Sequence, residues 1–171
     1  MPFPDIQILS TRHLRGPNVW TYREAVEVWV DIGPLEDHPS HTLPGFNERL
    51  QAWLPGMIEH RCSVGVRGGF FQRLLSGTWA AHIMEHVAIE LQTMAGLEVG
   101  FGKARETQQR GIYKVVVRAR QYDVAHASLL AARDLVMAAI NDTPFDVAAT
   151  VHRLKGMVDR LCLGPSTASI V

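Results

Sequence analysis

The stretch Gly77-Thr78-Trp79-Ala80-Ala81-His82-Ile83-Met84-Glu85-His86-Val87-Ala88-Ile89-Glu90-Leu91-Gln92 decides how the rest of the chain is read. It predicts one continuous helix. Thr78 after Gly77 supplies an N-cap, Gly96 supplies a stop, and no proline falls between Trp79 and Ala95. Ile83, Val87 and Leu91 form an apolar stripe that Trp79, Ala80, Met84, Ala88 and Ile89 widen, so most of the circumference is expected to be buried. His82, Glu85, His86 and Glu90 interrupt that pattern. Ionisable groups on a buried helix cost on the order of several kcal/mol unless they are paired or bind a metal. The other reading of the same residues is a polar edge in solvent, with Glu85 and Glu90 paired to surface arginines.

His82 and His86 are four residues apart and so share a helix face, from which both imidazoles can reach one metal ion while Glu85 stands beside it. The order H-x-x-E-H inverts the H-E-x-x-H of zinc peptidases. A zinc-like divalent ion held by His82 and His86 needs a third donor, for which Cys62 and Glu90 compete. Glu90 lies one turn beyond His86, and at 1.5 Å per residue three donors on one straight helix spread over about 12 Å, too far to meet at one ion. Cys62, in a separate glycine-rich run from His60 to Gly69, can approach from another side. It is the preferred third ligand, with Glu90 the alternative and otherwise a partner to a histidine.

A chain of 171 residues with 47% hydrophobic content can bury a proper core and is expected to form one domain over residues 1–162. Seventeen basic and seventeen acidic side chains cancel. No net field therefore favours nucleic acid or an anionic membrane. The opening Met1-Pro2-Phe3-Pro4-Asp5 has neither the charge nor the apolar run of a signal peptide, and no segment is apolar for long enough to span a bilayer, so the expected compartment is the cytoplasm. With only Cys62 and Cys162 present, no disulfide is expected there, and Cys162 reads as a small buried hydrophobe.

Around the helix, the alternation of Ile6 and Ile8 and of Val26, Val28, Val30 and Ile32 predicts two strands joined through the turn at residues 15–18. Phe46, Leu50, Trp53 and Leu54 predict a short helix that ends at Pro55-Gly56. Two further strands, 99–106 and 112–120, are expected as a hairpin, followed by helices near 123–141 and 144–161. The expected class is α+β, a small mixed or antiparallel sheet packed with helices. There is no phosphate-binding loop, Gly100-Phe101-Gly102 lacks the strand-to-helix setting of a dinucleotide site, and no G-x-S-x-G elbow occurs. His126 and His152 are expected to be packing or surface residues, and His13, His38 and His41 ordinary loop or strand-end residues.

Several ordered motifs together resemble the N-terminal domain of cyanophycin synthetase. They are residues 14–20 (Leu-Arg-Gly-Pro-Asn-Val-Trp), Leu43-Pro44-Gly45-Phe46, the Cys62–Phe70 loop, Gly77–Gln92 and Val99-Gly100-Phe101-Gly102, and the resemblance covers nearly the whole chain. The closing residues 163–171 look like the linker into an ATP-grasp domain. The resemblance implies one domain of a larger ligase that uses ATP in later domains, ATP-grasp and Mur-ligase-like, to build a poly-aspartate backbone bearing arginine side chains. For this domain it implies holding the polymer and, in some members, a metal-dependent cut that makes primers. His82, Glu85 and His86 stand where those members carry H-x-x-E-H.

On that basis Glu85 is the expected general base and Cys62, His82 and His86 the expected metal ligands. Arg61, Arg67 and Arg105 are candidates to grip aspartyl carboxylates, and Glu59 and Glu106 to grip arginine side chains. Each of these five is otherwise a solvated surface charge. Two functions follow, a metallohydrolase acting on the polymer or a polymer-binding scaffold that does no chemistry. The first is preferred because the H-x-x-E-H is intact.

Overall fold

The computed structural model describes residues 2–162, so the expected linker at 163–171 lies outside the described residues. Strand β1 (Gln7–Leu14) pairs antiparallel with β2 (Ala25–Asp31), which pairs with β4 (Ile112–Arg118), which pairs with β3 (Gly102–Glu106). The order is β1-β2-β4-β3, and every pairing is antiparallel, which resolves the choice between a mixed and an antiparallel sheet. The register opposes Val28 to Val115 and Val26 to Val117. Because side chains alternate between faces, these valines and Val30 all point to one side and are fully buried there.

Two helices cover that side. The first, α3 (Ala80–Met94), is the helix expected from the sequence, and α4 (Tyr122–Asn141) packs along it. Ile83, Met84, Val87 and Leu91 of α3 meet Leu129, Ala132 and Val136 of α4 in one continuous core. The 20 residues of α4 begin where the Gln121 side chain accepts from Val124 N–H at 3.0 Å. The last helix, α5 (Val147–Leu161), starts three residues later than Pro144 because Asp146 caps it through Ala149 N–H.

Among the described residues the other sheet face is closed locally rather than by a helix. Glu27 is buried there because Trp20 Nε1–H and Trp29 Nε1–H both donate to its carboxylate, at 2.8 and 3.1 Å, with Arg12 nearby at 3.7 Å.

Three local expectations are corrected. Thr78 is not the N-cap of α3: Trp79 holds that position, and the Thr78 hydroxyl bonds His82 instead. The third strand begins at Gly102 rather than Val99, and Val99 is buried at the wall of the cavity described below. The loop expected over Cys62–Phe70 ends at Gly68, because Gly69–Ser76 forms a helix, α2, whose Phe70 and Leu74 are buried one turn apart. Between β2 and α2 lie the expected short helix α1 (Phe46–Trp53) and a series of 3-10 turns, of which Cys62–Val64 is the last. His13 bonds Glu24 and stacks on Tyr122, and His126 stacks on Tyr122 as well, so both sit in ordinary packing contacts. Cys162 is half-buried against the core. Among the described residues no helix is long and apolar enough to cross a membrane.

Candidate metal centre

The polar face of α3 is not a solvent edge. Glu85, His86 and Glu90 are 5%, 8% and 7% exposed, which removes the reading in which they pair with surface arginines. They face a cavity of about 1050 Å³ between α3, the edge of β3 and the turns before α2. Charged groups held in such a place require partners.

The partners form two chains of contacts. Thr78 Oγ1 lies 2.8 Å from His82 Nδ1, leaving Nε2 of that ring 3.4 Å from Cys62 Sγ. His60 Nδ1 lies 2.9 Å from His86 Nδ1, while His60 Nε2 lies 3.0 Å from Glu90 Oε1. Phe70 orients both rings of the motif, stacking on His86 at 4.2 Å and meeting His82 edge-on at 5.7 Å. One ligand atom each from Cys62, His82 and His86 then falls within 4.8 Å of the others. Two imidazoles and a thiol are the donor set that zinc favours, and in each ring the nitrogen turned away from the cluster has its own hydrogen-bond partner. The residues present fit such an ion.

Cys62 reaches this position at a backbone cost. Its φ is +55°, in the left-handed region that side-chain-bearing residues seldom occupy. The turn is held by Gly65 N–H donating to Arg61 C=O at 3.1 Å and by the close approach of Gly69. A Cβ on Gly69 would stand 1.9 Å from the Arg61 carbonyl oxygen, so only glycine lets α2 begin against this turn.

The electrostatics follow from burial. Desolvation, aided by Arg73 and Arg105, lowers His82 to about 4. Desolvation, then the neighbouring His82, His60 and Arg73, lowers His86 to about 2. Both rings are therefore neutral, with lone pairs to offer, across the physiological range. Burial raises Glu85 to about 7 despite the opposing pull of Lys103 and Arg105, which places it where a carboxyl can exchange a proton near neutral pH. Glu85 Oε2 is 3.8 Å from His86 Nε2, beside the cluster.

The expected substrate-contacting residues divide. Glu59, Arg61 and Arg105 line the cavity, whereas Arg67 and Glu106 are not among its lining residues. Arg67 Nε donates to Glu59 at 2.7 Å, with both side chains about two-thirds exposed. Glu90 sits behind His60 instead of joining the Cys62, His82 and His86 group. Sequence reasoning missed His60, Arg73, Lys103 and Tyr113, all of which line the cavity. Tyr113 donates to Glu36 at 2.8 Å, and burial together with that carboxylate pushes its pKa up. The available signal for His60 was its position two residues before Cys62. Its link to Glu90 has no linear pattern.

Comparison with known proteins is consistent across the chain. The family described as cyanophycin synthase-like N-terminal domain matches residues 27–141. The cyanophycin synthetase of Geminocystis herdmanii is 38% identical over 171 residues, covering 97% of this chain and 20% of that protein. The one from Synechocystis sp. is 39% identical with the same coverage, and that of Trichormus variabilis is 38% identical over 97% of this chain and 19% of its own length. The chain thus spans about a fifth of the length of these curated relatives.

Proposed function

The chain belongs to the family of cyanophycin synthase-like N-terminal domains, and on that premise we propose that it is a metal-dependent hydrolase that cleaves cyanophycin, the arginine-bearing poly-aspartate, into primers for its own synthetase. The observation that carries this reading is the meeting of Cys62, His82 and His86 with Glu85 beside them at the wall of one cavity. A scaffold that only held polymer would have no need of neutral buried imidazoles or of a carboxyl near pH 7.

Cys62 Sγ and the Nε2 atoms of His82 and His86 would hold a zinc-like ion. Bound there, such an ion supplies Lewis acidity toward a carbonyl oxygen and a water that ionises near neutral pH. Glu85 takes the proton of the attacking water and passes it to the leaving amine, so that hydroxyl is added to the carbonyl carbon and hydrogen to the nitrogen. Arg61, Arg73, Lys103 and Arg105 around the cavity offer positive charge to the carboxylates of the polymer, and Glu59 offers negative charge to its guanidinium groups. On this reading the domain works in the cytoplasm beside ATP-grasp and Mur-ligase-like domains of a longer ligase, and ATP is used only by those domains.

The test is direct. Purified domain incubated with the insoluble polymer should release soluble fragments, and a chelator should stop the release until zinc is restored. Binding without release, in protein shown to carry zinc, would favour the scaffold.

A further inference from the structure

The third strand, β3, is an edge strand: β4 covers one side, and among the described residues no strand covers the other. Its alternation is fixed by two ladder bonds, Arg118 N–H to Phe101 C=O at 3.0 Å and Thr107 N–H to Ile112 C=O at 3.1 Å. Phe101, Lys103, Arg105 and Thr107 therefore turn their main-chain groups toward β4, and Gly102, Ala104 and Glu106 turn theirs to the open side. Gly102 and Ala104 line the cavity. Gly102 is also where the strand touches the site, since a Cβ there would lie 2.8 Å from Glu85 Oε2 and 2.7 Å from Ile89 Cδ1. The open edge runs within contact of Glu85, on the same helix face as His82 and His86.

A bare strand edge is a template for another extended chain. The geometry points to the open edge of β3 as the seat of the substrate's main chain: an extended α-peptide backbone adds as a further strand, hydrogen-bonded to Gly102 N–H and C=O and to Ala104 N–H, and is carried across Glu85. This inference rests on the hydrolase reading above and adds the binding mode to it. Main-chain bonds supply affinity that does not depend on side-chain identity, while alternate side chains of the added strand rise on each face. Arg105 Nη1 donates to the Ala104 carbonyl at 3.0 Å, which holds its guanidinium on this edge. A carboxylate on the added strand can take over that guanidinium, so a repeating chain that carries carboxylates is favoured over one that carries none.

The experiment uses the zinc-loaded domain with soluble oligomers of poly-aspartate carrying arginine side groups. Amide hydrogen exchange is followed in the Glu85→Gln variant, which retains the oligomer long enough to measure. Gly102 and Ala104 amides should slow by at least roughly tenfold, while Lys103 and Arg105, already bonded to β4, change little. In parallel, Ala104→Pro removes the outward N–H without breaking a bond to β4, and should raise KM roughly tenfold at unchanged zinc content. If the parental domain cuts the oligomer but neither amide slows, or Ala104→Pro retains the parental KM, the edge is not the seat and the hydrolase reading stands alone. If the parental domain cuts nothing, the hydrolase reading fails and this inference fails with it.

Discussion

His60 Nδ1 and His86 Nδ1 lie 2.9 Å apart, and one of them must donate to the other. The far nitrogen of His60 is 3.0 Å from the Glu90 carboxylate, which can only be satisfied by an N–H at His60 Nε2. A neutral His60 then has its lone pair at Nδ1, so His86 donates from Nδ1 and keeps its own lone pair at Nε2. That atom faces the cluster. Glu90 and His60 thus set the tautomer of His86 that leaves Nε2 able to bind a metal, while the Thr78 hydroxyl, 2.8 Å from His82 Nδ1, holds the second ring in place.

His60→Ala should therefore weaken zinc binding without abolishing it. Loss of a partner that orients a metal-binding histidine typically costs about 10- to 100-fold in affinity. Competition against a chromogenic chelator measures this directly. An unchanged zinc affinity in the folded variant would remove His60 from the site.

Cys62→Gly should separate stability from function. Relief of the left-handed backbone at φ +55° is expected to raise the stability of the metal-free domain by about 1 kcal/mol. The same change removes the thiol, so zinc content and polymer cleavage should fall together. Chemical denaturation with chelator present, alongside elemental analysis, reads both. A variant less stable than its parent would show that the turn depends on the side chain in some other way.

The helix carrying the site was legible because its pattern is local. Apolar residues at helical spacing predicted α3, and His82, Glu85 and His86 followed from their spacing on it. The alternating valines likewise gave β2. What could not be read depends on contacts distant in sequence. Helix α2 was hidden because Gly68-Gly69 reads as a breaker, whereas Gly69 is needed for its approach to Arg61. Thr78 looked like a cap because the pattern of a cap says nothing of a better partner one turn away. His60 and Glu90 are 30 residues apart, and their pairing exists only once the turns before α2 fold onto α3.

Acid should destabilise the metal-free domain. His82 at about 4 and His86 at about 2 bind fewer protons in the fold than in the unfolded chain, where each titrates at 6.5. Their contribution is complete above pH 6.5 and is lost as pH falls, toward about 4 for His82 and toward about 2 for His86. Glu85 acts oppositely: raised from 4.5 to about 7, it contributes fully below 4.5 and progressively less as pH climbs to about 7. Between about pH 5 and 6 two histidines outweigh one carboxyl, so stability should fall by about 1 kcal/mol per pH unit on acidification. Urea midpoints taken with chelator at both pH values test the sign, and a midpoint that rises toward pH 5 contradicts it.

Glu85→Gln should abolish cleavage while leaving zinc content and folding close to the parent. Glutamine keeps the shape of the side chain beside Gly102 but cannot take the proton of the attacking water, and loss of a general base typically costs about 10²- to 10⁴-fold. In the parental domain cleavage should rise with pH as Glu85 ionises, with its acid limb at or below about 7, because a cation bound beside the carboxylate lowers its pKa further. His82→Ala must behave differently, losing zinc and activity together, since it removes a ligand rather than a base. Cleavage by Glu85→Gln at the parental rate, with the same pH profile, would assign the proton transfer to another group.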